Sequence, residues 1–192
     1  MKCLIVYAHP NPQSFNCAIK ETIAEQLISN GHDVEIRDLY ALGFDPVLKS
    51  SDFELIQQGK IAADVEQEQK HIKWAELIIV LAPIWWANLP AIFKGYIDRV
   101  FSFGFAYVME EEGPKGLLPG KKVFIVNTSG APNDMYEELG MHDSFNKTMD
   151  FGIFTFCGME VIGHKYLGAV PMVSDEDRKQ MLEEIKVIVS KI

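Results

Sequence analysis

The stretch "KCLIVYAHPNPQSFNCAIKETIAEQLISN", Lys2 to Asn30, decides how the rest of the chain is read. It opens with an apolar run suited to a strand buried on both faces, and its end, "AIKETIAEQLISN", carries apolar residues at helical spacing. The segment between them is therefore a strand-to-helix turn. Turns of this kind often hold nucleotides through glycines, yet this one offers His9, two prolines, Ser14, Phe15 and Asn16 instead. The first amides of the helix, with the positive end of its dipole behind them, can hold a phosphate beside Ser14, Asn16 and His9. Ser14 is equally well explained as an N-cap and His9 as an ordinary loop histidine.

Outward from this unit the same alternation repeats. Further apolar runs occur at "DVEIRDL" (33 to 39), "ELIIVLAPI" (76 to 84), "KVFIVNT" (122 to 128) and "EVIGHKYL" (160 to 167). Segments of helical periodicity fall at about Ser14–Ser29, Ile61–Trp74, Pro90–Val100, Met135–Phe151 and Ser174–Val189. Strands alternating with helices predict a five-stranded parallel sheet covered on both faces, a doubly wound α/β domain. The whole chain, 1–192, reads as one domain, with Leu42 to Gly59 a longer mixed connection within it. Ligands of such sheets bind at the carboxyl ends of the strands, which directs attention to the loops after the first, third and fourth.

Composition narrows the partners. Eighteen Lys plus Arg against twenty-seven Asp plus Glu give a net charge of -9, which repels nucleic acid and anionic lipid. With no apolar run of transmembrane length and no signal-type N-terminus, the expectation is a cytoplasmic protein without membrane insertion. Cys3, Cys17 and Cys157 lie far apart without metal-ligand spacing, so neither disulfides nor a metal site are expected.

The loop after the third strand, "APIWWANLP", places Trp85 and Trp86 where a flat ligand would lie. An isolated Trp pair is more often core or interface, and only its place at a strand's carboxyl end brings the ligand reading level with that one. After the fourth strand, "NTSGAPNDMYEELGMH" combines small residues, whose amides can approach a planar polar ligand, with Tyr136 and His142. Together the three loops supply phosphate donors, an aromatic wall and an amide cradle, the needs of a flavin nucleotide.

On these residues the sequence resembles the flavodoxin-like NAD(P)H:quinone oxidoreductases. The matching stretches are "AHP" and "SFN" within 8 to 16, "RDLYALGFDPV" (37 to 47), "VEQEQK" (65 to 70) and "PIWWANLPAIFKGYIDRVF" (83 to 101). They continue through "FAY" (105 to 107), "TSG" (128 to 130), "MYEELGMH" (135 to 142) and "FCGMEV" (156 to 161). The resemblance implies that His9, Ser14, Phe15 and Asn16 hold the flavin phosphates. It implies that Pro83, Ile84, Trp85 and Trp86 line the ring, and that Thr128, Ser129 and Gly130 donate to its polar edge. Tyr136 and His142 would be the catalytic pair, and Tyr107 and Phe156 would complete the site of the partner chain in a homodimer. Departures fall at Ala87, where a bulky aromatic commonly stands, and at Met109, where a second tyrosine is often found.

The implied activity is two-electron, ping-pong transfer from NAD(P)H to quinones or similar small acceptors. The implied flavin is FAD, on the strength of "RDLYALGFDP" and the 42 to 59 connection, with FMN the alternative. A flavodoxin-type electron carrier and an ancillary flavoprotein subunit of a membrane transporter are the competing readings. A phosphorelay receiver is excluded because Ala82-Pro83 stands where its aspartate would be.

Overall fold

The five apolar runs become the five strands of one sheet. The computed structural model describes residues Met1–Ile192. In chain order the elements are β1 (Lys2–Tyr7), α1 (Phe15–Ser29), β2 (Asp33–Asp38), α2 (Ser50–Gln57), α3 (Ala63–Trp74), β3 (Leu77–Pro83) and α4 (Ala91–Val100). There follow β4 (Tyr107–Glu110), β5 (Gly113–Gly116), β6 (Lys122–Thr128), α5 (Asn133–Glu138), α6 (Met141–Phe145), a π-helix (Asn146–Thr155), β7 (Glu160–Leu167) and α7 (Asp175–Val189).

The sheet order is β2-β1-β3-β6-β7 with every neighbouring pair parallel. The chain starts in the middle, steps outward to β2, and then returns past β1 to β3. That reversal leaves a crevice at the carboxyl ends of β1 and β3, the place where such sheets take ligands.

Alternation along the strands builds two cores. Leu4, Val6, Ile78, Val80, Val123 and Ile125 face Val65 and Ile72 of α3 and Phe93 and Tyr96 of α4. Cys3, Ile5, Ile79, Leu81, Phe124 and Val126 face Ile19, Ile23 and Leu27 of α1 and Ile185 and Val189 of α7. A strand apolar on both sides is thus what a doubly covered parallel sheet requires. All three cysteines are buried and unpaired, and burial pushes the Cys157 thiol up to about 11.

Three features differ from the sequence reading. The 42 to 59 connection contains a helix, α2, tied to the body by Arg99. The Arg99 guanidinium donates to Asp52 at 3.1 Å, to Asp64 at 2.6 Å and to the Asp45 carbonyl at 2.8 Å. Gly95 of α4 lets the Pro46 carbonyl approach so closely that a Cβ there would overlap it. Next, β4 and β5 form a hairpin that no periodicity announced, since "GPKG" has no strand pattern. Finally, the predicted helix Met135–Phe151 is broken: Gly140 takes a left-handed φ of 68° and separates α5 from α6, which runs on into the π-helix.

Candidate active site

At the carboxyl ends of β1, β3 and β6 lies a cleft of about 310 Å³. The structure brings His9, Ser14, Phe15, Asn16, Pro83, Ile84, Trp85, Thr128, Ser129 and Gly130 together as its lining, and Val170 and Pro171 close it from the loop after β7. The latter two escaped the sequence reading because an apolar pair just past a strand carries no chemical signal.

The turn after β1 is built from its side chains. Ser14 caps α1, accepting from the Cys17 amide at 3.2 Å, and its hydroxyl meets the Tyr7 phenol at 3.3 Å. Burial pushes that phenol up to about 12, so it stays a neutral partner for Ser14. With the cap spent on Cys17, the Phe15 and Asn16 amides donate to no other group of the chain. Two free N–H groups at the positive end of a helix of 15 residues could hold an anion. No Lys or Arg lines the cleft, so these amides and the dipole meet an anion's charge without a counter-ion.

The loop after β3 separates the two tryptophans. Trp85 and Asn88 exchange backbone hydrogen bonds at 2.9 and 3.1 Å, and between them Trp86 and Ala87 both adopt positive φ, 50° and 57°. This is the geometry of a type I′ turn, which favours Asn-Gly and costs strain when built from Trp-Ala. Trp85 turns toward the cleft, its ring edge against His9 at 5.9 Å. Trp86, expected to line the ring, is instead 101% exposed at the tip of the turn.

After β6 the expected donors are partly consumed. The Ser129 amide donates to the Leu167 carbonyl at 3.0 Å and its hydroxyl to the Ala131 carbonyl at 2.7 Å. Gly130 keeps a free amide, and Thr128 accepts from Asn16 Nδ2 at 2.8 Å while its own hydroxyl hydrogen remains available. Buried Asn16 Oδ1 has no partner. The donor set suits a ligand with an anionic end over α1, a flat apolar middle along Ile84 and Trp85, and a polar edge at Gly130.

Tyr136 and His142 lie on α5 and α6 and are not among the residues lining the cleft. Their rings meet edge to face at 6.0 Å. Tyr107 and Phe156 also find each other, with ring centroids 5.3 Å apart on a surface that includes exposed Phe103 and Met109.

These features define a flavodoxin-like protein, and the family model described as flavodoxin-like fold matches residues 1–189. The chain is 39% identical over 184 residues to an uncharacterized NAD(P)H oxidoreductase of Haemophilus influenzae, covering 95% of this chain and 91% of the relative. It is 34% identical over 201 residues to human ribosyldihydronicotinamide dehydrogenase (quinone), covering 94% and 87%. The solved NAD(P)H:quinone oxidoreductase from Methanothermobacter marburgensis matches with a TM-score of 0.90 at 26% identity, covering 99% of this chain and 96% of that one. The chain belongs to the flavodoxin-like NAD(P)H:quinone oxidoreductase family.

Proposed function

We propose that the protein is a flavin-dependent NAD(P)H oxidoreductase that reduces quinones or similar small acceptors by two-electron, ping-pong transfer. The observation that carries this reading is the pairing, in one cleft, of the free Phe15 and Asn16 amides with the Trp85 ring and the free Gly130 amide. When bound, a flavin supplies the hydride chemistry, accepting from NAD(P)H and delivering to the acceptor. The chain does the rest. Phe15 and Asn16 bind the phosphate end, a charge–dipole contact worth up to about 2 kcal/mol when partly buried. Pro83, Ile84 and Trp85 orient the ring and exclude water from one face. Gly130 donates to the polar edge, where preorganised N–H groups favour added negative charge. Tyr136 and His142 hold the proton that accompanies that charge.

The flavin we favour is FAD. The "RDLYALGFDP" segment, which in the resemblance marks the FAD-using branch, is held against α4 through Arg99 and the close contact at Gly95, so this chain keeps it as part of the body. FMN is the alternative. The reading includes a C2 homodimer, supported by the half-buried Tyr107 beside exposed Phe156, Phe103 and Met109, with Tyr107 and Phe156 reaching the partner's site. No helix is long and apolar enough to cross a membrane, and a cytoplasmic location remains part of the proposed reading.

The test is direct. Purified protein should carry one flavin per chain, identified by the mass of the cofactor released on denaturation, and NAD(P)H should bleach it under anaerobic conditions. Protein that takes up neither FAD nor FMN at micromolar concentration would overturn the reading.

A further inference from the structure

Nε2 of His142 is buried without a hydrogen-bond partner. Ring contacts place this imidazole: it stacks on Tyr166 with centroids 4.1 Å apart and planes inclined by 16°, and it meets the edge of Tyr136. The other face of Tyr166 is covered by His164, 4.0 Å away and inclined by 25°. The result is a three-ring stack from β7 to α6.

The inner end of the stack is fixed at every polar atom. Asn127 Nδ2 donates to the Ala82 carbonyl at 2.7 Å, so its Oδ1 is the atom that faces His164 Nε2 at 2.8 Å. His164 Nδ1 lies 2.8 Å from Asp150 Oδ1 and 3.0 Å from the Tyr166 hydroxyl. That hydroxyl donates to Asn146 Oδ1 at 2.8 Å. Burial, with Asp150 and Asp143 nearby, holds the Tyr166 phenol well above its usual range, so it remains a donor. His164 is only 5% exposed in its side chain. A ring held this way has one orientation, and its partner across the stack inherits it.

We propose that Tyr166, anchored by His164 and Asp150, is the positioning residue for His142 in the proposed reaction. It acts through the ring face rather than through its hydroxyl. The inference rests on the reading that His142 serves hydride transfer, but its structural half, the placement of the imidazole, is measurable without any reaction.

His142 is one of five histidines, so its ring resonances are assigned by their loss in His142→Ala. In the flavin-free wild type, the Tyr166 ring should shift them upfield. Tyr166→Leu should abolish that shift and slow flavin reduction in loaded protein by roughly ten- to a hundredfold, the scale of a misplaced reacting group. Tyr166→Phe, which restores the ring, should return the shift and most of the rate. Should the Leu variant fail to fold, Asp150→Ala, which takes the Nδ1 partner from His164 behind Tyr166, should broaden or move the His142 resonances. Unchanged His142 resonances in Tyr166→Leu, or in Asp150→Ala where the Leu variant does not fold, would overturn the proposal. A normal rate in Tyr166→Leu, with His142→Ala slow, would overturn it too. A normal rate in His142→Ala would instead remove the catalytic reading on which it rests.

Discussion

Asn16 and Thr128, 112 residues apart in sequence, are joined by a 2.8 Å hydrogen bond from Nδ2 to Oγ1. The bond ties the first turn of α1 to the end of β6, so the α1 end and the Gly130 end of the cleft are set by one contact. Both residues are almost fully buried, 4% and 3% exposed, which makes an unpaired partner costly.

Asn16→Ala should therefore weaken flavin binding by roughly ten- to a hundredfold, since a buried polar group left unpaired costs about 1–3 kcal/mol. Fluorescence titration of the flavin-free protein measures this. An unchanged dissociation constant would mean that the contact organises the fold and not the cleft.

Tyr136→Phe and His142→Ala should each slow the bleaching of bound flavin by NAD(P)H while leaving flavin affinity nearly unchanged. Loss of one preorganised donor costs at most about 2–4 kcal/mol, or roughly ten- to a thousandfold in rate. The double variant should fall short of the product of the single effects because both residues serve one proton. Stopped-flow absorbance on fully loaded variants decides it, and wild-type rates in both would leave the pair a packing contact.

Gly95→Ala sets two rules against each other. In an exposed helix interior alanine stabilises by about 1 kcal/mol relative to glycine. Here the added methyl runs into the Pro46 carbonyl, and overpacking costs about 1–3 kcal/mol. The variant should melt at a lower temperature than the wild type, and a rise would show that the 42 to 49 segment yields freely.

Arg99→Met should be strongly destabilising, by about 3–5 kcal/mol, because it strands the Asp52 carboxylate. Burial raises the Asp52 carboxyl, but hydrogen bonds from Arg99 and the Lys49 amide outweigh it and hold it below its ordinary value. A depressed folded value contributes stability that is complete above the unfolded carboxylate range, about 4, and is lost as pH falls through the lower folded value. Thermal melts should show a wild-type decline in that acid window that is shallower in Arg99→Met.

Much of the molecule was legible in the chain. Apolar runs at Cys3–Ala8, Glu76–Ile84 and Lys122–Thr128 have nothing to do in water but pair and be covered, and their alternation with helical periods leaves a doubly wound sheet as the economical solution. Ser14 as cap, and the cleft residues from His9 to Gly130, follow from that topology because the carboxyl ends of adjacent parallel strands must converge. Periodicity reports burial over a few residues, however, and says nothing about which distant groups meet. That Ser129 spends its donors on Leu167 and Ala131, that the I′ turn sends Trp85 inward and Trp86 to solvent, and that Val170 and Pro171 close the cleft all depend on how loops pack. The stack of His142 on Tyr166 and of Tyr166 on His164 depends on the register of β7 against β6 and on where Gly140 breaks the helix. Such contacts join residues whose separation in the chain carries no local signal, and they come into being only when the sheet has closed.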